Sequence, residues 1–166
     1  FALGAKIEVG EPVFTVGGGA ANAAVTFARQ GFRAAALVKI GKDYTGEQAI
    51  AALKRERVVP LAIRDAHTLG TSWSTILLSP SGERTILNYR GASETITKSD
   101  TPFGKLRARW AYIAPGHIAF PVMQAIVRGL KKNKVRIAMN PSKYYLKMGI
   151  RRLAPLLNQL DVILVN

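Results

Sequence analysis

Short apolar runs alternate along this chain with segments whose apolar residues recur at helical spacing, and that alternation leaves few folds open. Residues 34–40 (AAALVKI), 110–113 (WAYI), 135–139 (VRIAM) and 162–165 read as buried strands. Between them, residues 20–30, 43–57, 119–132 and 150–159 place their apolar side chains on one helical face. Strand, helix and strand in that order predict βαβ units and a parallel sheet. Two stretches break the rule. Residues 5–9 and 13–16 read as short strands with no helix between them, and so do 59–64, 71–78 and 84–89. The last two are joined by the turn Pro80-Ser81-Gly82-Glu83, a hairpin signal. A small separate antiparallel flap, spanning about residues 5–16 and 59–89, is therefore predicted beside the parallel sheet.

Composition narrows the function classes. The 166 residues suffice for one compact domain, and no apolar run reaches the roughly 18–20 residues of a membrane helix. The absence of cysteine removes disulfides, thiolate metal sites and cysteine nucleophiles, and is compatible with a cytoplasmic location. The two histidines, His67 and His117, stand outside any metal-ligand spacing. The net charge of +14 favours anionic ligands such as a nucleotide or a sugar phosphate. Its basic residues are scattered over several segments, several at the ends of predicted helices, and form no aromatic-interleaved stripe of the kind that marks a nucleic-acid protein. The chain has no initiator methionine and stops at Asn166 directly after an apolar strand, so truncation at both ends is expected.

The strongest local feature is Gly17-Gly18-Gly19-Ala20-Ala21-Asn22, where a strand-like run meets a helix. Glycines there let a ligand approach the backbone closely, and the first amides of the helix point outward as donors. The spacing matches neither a Walker A loop nor a dinucleotide fingerprint. The Asn22 amide either meets substrate hydroxyls or satisfies backbone groups in a tight turn. Asp43 reads first as a helix cap and second as a ligand contact at the carboxyl end of a strand. Thr45-Gly46-Glu47-Gln48 has the pattern of a capping box. Trp73 and Trp110 read as core or flap packing, His117 as a possible pocket residue, and Arg90 as either a phosphate contact or a surface arginine.

Taken in order, GGGAAN (17–22), ALVKIGKDYTGE (36–47), GTSWSTILLSPSGERTILNYRGA (70–92), AMNPS (138–142) and DVILVN (161–166) resemble the ribokinase/PfkB-like carbohydrate kinases. That resemblance covers the chain from about residue 5 to the end and implies a ribokinase-like α/β fold. Such a fold has three layers, a parallel sheet with helices on both faces, plus a small β-sheet lid. It further implies ATP-dependent phosphorylation of a hydroxymethyl group on a sugar or nucleoside, with Mg²⁺. By the same resemblance Gly17, Gly18 and Asn22 would contact substrate hydroxyls, and Asn140 would face the site. Asn166 would begin an Asn-x-x-Glu motif associated with Mg²⁺ and phosphate, and the lid could pair two subunits into a homodimer. The chain departs from the family in three ways. Gly19 stands where a basic residue is common, no acidic residue precedes Glu8, and the Gly-Ala-Gly-Asp segment with the catalytic aspartate occurs nowhere. The chain thus carries no catalytic base and is expected to be inactive alone, supplying the substrate-binding and lid half. The alternative is a non-catalytic ribokinase-like scaffold that binds an acidic partner.

Overall fold

The computed structural model describes residues 4–65, 69–104, 106 and 108–165. Helix α1 (Gly19–Arg29) opens on Gly18, whose φ of 93° suits glycine, and leads into β1 (Ala35–Ile40). Helix α2 (Tyr44–Arg55) crosses back to β2 (Val59–Arg64), which pairs in parallel with β1 from Ala35↔Val59 to Ile40↔Arg64. A hairpin follows, β3 (Trp73–Leu78) against β4 (Arg84–Tyr89), antiparallel and closed by Ser79 N–H donating to the Glu83 carbonyl at 2.8 Å. After two 3₁₀ turns, Gly91–Thr95 and Lys98–Asp100, the chain resumes βαβ order. Strand β5 (Trp110–Ile113), helix α3 (Phe120–Lys132), β6 (Arg136–Met139), the short α4 (Lys143–Leu146), α5 (Ile150–Leu157) and β7 (Val162–Ile163) build a second parallel segment, ordered β5-β6-β7. The architecture is mixed α/β with parallel sheets and helices, as the alternation predicts.

Two apolar clusters support these segments. The larger one packs Met123, Val127 and Leu130 of α3 against Ile137 and Met139 of β6 and Leu153 and Leu156 of α5, all nearly sealed from solvent. The smaller joins Ala21 and Ala24 of α1 to Ala36 of β1, Leu53 of α2 and Val58. Alanines on α1 let the helix backbone lie close to the strands. Helix α1 spans both parallel segments, because the Phe27 ring also meets the Tyr112 ring of β5 edge-on at 6.0 Å.

Helices α1, α2 and α3 end alike. The amide two residues past each C-cap reaches back to the third-last helical carbonyl: Phe32 to Phe27 at 3.0 Å, Val58 to Leu53 at 3.0 Å and Val135 to Leu130 at 3.1 Å. This closure forces the intervening residue into the left-handed region, which favours glycine. Gly31 fills it after α1 with φ 88°, but Arg57 (φ 59°) and Lys134 (φ 58°) fill it after α2 and α3. A side chain in that conformation costs about 1 kcal/mol relative to glycine.

Two expectations change. Residues 5–9 and 13–16 form no strand; Val9, Val13 and Phe14 are 73%, 87% and 92% exposed. An apolar run becomes a strand only when a neighbour takes its backbone groups, and Pro12 removes one donor. Residues 59–64 belong to the parallel sheet rather than to the flap, since the α2 crossover returns them beside β1. The flap is thus the β3–β4 hairpin alone, with the outward side chains of both strands largely exposed. Asp43 caps α2, as its first reading has it, and the Thr45-Gly46-Glu47-Gln48 pattern is not used as the cap.

Candidate functional site

The carboxyl ends of the strands converge on one edge. Gly19 sits so close to β5 that a Cβ there would lie 2.6 Å from the Ala114 Cβ, which brings the glycine turn and the start of α1 to the end of β5. A larger side chain at position 19 would push them apart. Asn140, just past β6, donates its backbone N–H to the Ile113 carbonyl at 3.0 Å and its side-chain Nδ2 to the Leu164 carbonyl at 3.1 Å. Ser142 Oγ donates to the Gly116 carbonyl at 2.5 Å. The edge therefore carries Gly17–Asn22, Ala114–His117 and Asn140 side by side, where ligands bind in open α/β sheets. Gly17, Gly18 and Asn22 are exposed, and among the described residues the Asn22 side-chain amide has no hydrogen-bond partner. The Asn140 amide, by contrast, is already engaged, linking the end of β6 to Leu164 just past β7. Asn166 and His67 lie outside the described residues.

The hairpin is rooted over this edge at both feet. Asp43 caps α2 by accepting the Gly46 N–H at Oδ1 (2.8 Å), and the same carboxylate accepts the Thr71 hydroxyl (2.6 Å) at Oδ1 and the Thr71 N–H (2.6 Å) at Oδ2. Thr71 also accepts the Gly41 N–H at its hydroxyl, 2.9 Å away. Burial raises the Asp43 pKa, but the hydrogen bonds from Thr71, Gly46 and Thr45 outweigh it and bring it from 3.8 down to about 2. At the other foot Ala92 N–H donates to the Gly70 carbonyl at 2.9 Å. Glu94 Oε1 stands 3.2 Å from Arg90 Nε and 3.1 Å from His117 Nδ1, and the His117 ring stacks on Tyr144 with centroids 5.0 Å apart. A buried ammonium secures the rest: Lys39 Nζ of β1 donates to the Thr95 carbonyl (2.8 Å) and Asp100 (3.0 Å) and lies 3.6 Å from Asp65. Both parallel segments thus turn the same edge toward the turn at Gly91–Thr95.

Asp43 is therefore a cap and a hairpin anchor together, Arg90 is tied to Glu94, and His117 stands at the rim of the edge. Neither tryptophan lies in the core. Trp73 packs across the hairpin against Tyr89 with centroids 6.4 Å apart, and Trp110 carries the Arg136 guanidinium 4.5 Å above its ring. Thr71, Glu94 and Tyr144 escaped the sequence reading because their partners lie 28, 23 and 27 residues away. Two hollows, of about 770 Å³ between Thr97 and Gly104 and about 370 Å³ beside Arg109 and Asn133, lie apart from the glycine turn. Among the described residues no group of three or more His, Cys, Asp or Glu side chains could hold a metal ion.

A glycine turn opening a helix at the carboxyl edge of parallel strands, with a β-hairpin rooted beside the end of β1, is an arrangement seen in α/β proteins whose ligands bind at that edge. The model of the pfkB family carbohydrate kinases matches residues 2–119, and the chain belongs to that family. Solved structures share the fold. A protein designated Sa239 is 24% identical with a TM-score of 0.76, covering 98% of this chain and 53% of that one. Adenosine kinase from Sinorhizobium meliloti is 22% identical (TM-score 0.73; 93% and 50%). Ribokinase from Giardia lamblia is 21% identical (TM-score 0.72; 88% and 45%). The chain spans about half the length of these structures.

Proposed function

We propose that this chain supplies the substrate-binding and lid half of an ATP-dependent kinase acting on a hydroxymethyl group of a sugar or nucleoside. The observation that carries this reading is the free Asn22 amide beside the exposed Gly17-Gly18 turn, held against the end of β5. One amide side chain offers both a donor and an acceptor to vicinal hydroxyls, and the glycines leave room for the ligand at the helix start. The β3–β4 hairpin, rooted by Asp43 and Thr71, is the lid, and closing it would exclude water that competes for a phosphoryl group. Its exposed apolar side chains, Ile76 and Ile86 among them, favour pairing with a second copy. ATP and Mg²⁺ belong to the complete enzyme. Phosphoryl transfer needs a base, an anion hole and a metal, and this chain contributes positioning alone.

Isothermal titration with ribose, fructose and adenosine tests the reading. At least one is expected to bind, and Asn22→Ala to weaken it about 3–10-fold, the worth of one or two hydrogen bonds. No binding by any of them, or binding unchanged by the substitution, refutes the assignment. The isolated chain is expected to release no ADP from ATP and sugar.

A further inference from the structure

Many of the basic residues that lie scattered along the sequence meet at one pole of the fold. This pole holds the amino ends of the strands, opposite the candidate sugar site. Arg29 ends α1 and Arg33 precedes β1; Lys54 and Arg55 end α2 and Arg57 precedes β2. Lys132 ends α3, Lys134 precedes β6, and Arg109 precedes β5 with Arg136 opposite it, bonded N–H to carbonyl at 3.0 Å. All of these side chains are exposed. Among the described residues the acidic groups at this pole are Glu56 and Asp161, and each is already spent in an ion pair, with Arg29 and with Lys131.

Charge alone would describe any basic protein, but the backbone adds a second observation. Arg57 and Lys134 occupy the two helix-end positions whose φ, 59° and 58°, favours glycine, whereas Gly31 occupies the matching position after α1. A strained position holding a charged side chain where glycine relieves the strain points to a use for the charge. Exposed aromatic rings stand among the cations: Trp110 is 44% and Phe32 59% exposed, and the Arg136 guanidinium lies over Trp110. Cations that track a phosphate backbone, interleaved with rings on which bases stack, suit a single-stranded nucleic acid better than an acidic protein, which would use the cations alone.

We infer that the amino-end pole is a docking surface for single-stranded nucleic acid, independent of the sugar site. Fluorescence anisotropy of a labelled oligouridylate of about 20 nucleotides, with the whole chain, reads it directly. Binding is expected to weaken steeply with salt. The double variant Arg57→Gly/Lys134→Gly is expected to keep or raise Tm, because glycine suits both positions. It should also weaken binding roughly 5–20-fold near 0.1 M salt and flatten the salt slope by about 1–1.5. A second pair, Arg33→Ala/Lys132→Ala, should act likewise. Arg151→Ala/Arg152→Ala removes the same charge from the other pole, where Arg152 lies over Phe120 at the start of α3, and should leave binding unchanged. Absence of binding overturns the inference, as does equal loss in the Arg151/Arg152 control. An oligoglutamate of matched charge that competes as well as RNA also overturns it, by marking the surface as one for acidic proteins.

Discussion

Asp43 shows how much one carboxylate can hold. It closes the first turn of α2 by accepting from Gly46 and Thr45, and fixes the first foot of the hairpin through two hydrogen bonds from Thr71. Asn in its place keeps one acceptor but turns an amide toward the Thr71 N–H, leaving a donor unpaired in a half-buried spot. Asp43→Asn is expected to cost roughly 1–3 kcal/mol, a Tm drop of about 3–10 °C in a chain of this size, measured by calorimetry. The sign with pH follows from the direction of the shift. The folded pKa, about 2, lies below the ordinary 3.8, so the contribution is full above that ordinary value and fades as pH falls from 3.8 toward 2. Wild-type stability should drop in that window, and the Asp43→Asn variant should show less of the drop. Sequence spacing makes the cap legible, since Gly46 is three residues on. Thr71 is not, because nothing local marks a partner that far along the chain.

At the scale of elements, the hairpin is a weakly supported part of the described fold. A two-stranded ribbon with exposed side chains on both strands is marginal by itself, so its feet carry its position. Gly91, with φ 45°, lies where a Cβ would stand 2.2 Å from the Gly70 carbonyl oxygen. Gly91→Ala must push the feet apart or distort the turn. Faster hydrogen exchange at the Ala92 amide is expected, along with a lower Tm; unchanged exchange would show that the foot tolerates the methyl group. The helices were legible from periodicity because each buries one stripe, as α3 does with Met123, Ile126, Val127 and Leu130. The strand assignment of residues 5–16 failed for the complementary reason: apolar composition permits a strand but does not provide its partner.

For the molecule as a whole, stability concentrates where burial is complete. Leu156 and Ile137 are fully buried in the α3–β6–α5 cluster, whereas Phe14 is 92% exposed. Leu156→Ala is expected to cost about 2–5 kcal/mol, and Phe14→Ala less than about 0.5 kcal/mol, by denaturant titration. The two ends of the parallel strands differ: the carboxyl end carries the glycine turn, Asn22 and the hairpin feet, while the amino end carries a cluster of cations that includes Arg57, Lys134 and Arg136.

By itself the order of apolar runs and helical stripes determined a parallel α/β chain, and the glycine turn with Asn22 pointed to the end of it on which the proposed site rests. Those signals are local, and periodicity and backbone permissiveness are written residue by residue. The pairing of β2 with β1, the anchoring of the hairpin by Asp43 and Thr71, and the gathering of Arg57, Lys134 and Arg136 at one pole were decided only by the tertiary structure. Each joins residues far apart in the chain, and contacts of that kind exist only once the sheet has brought its strands together.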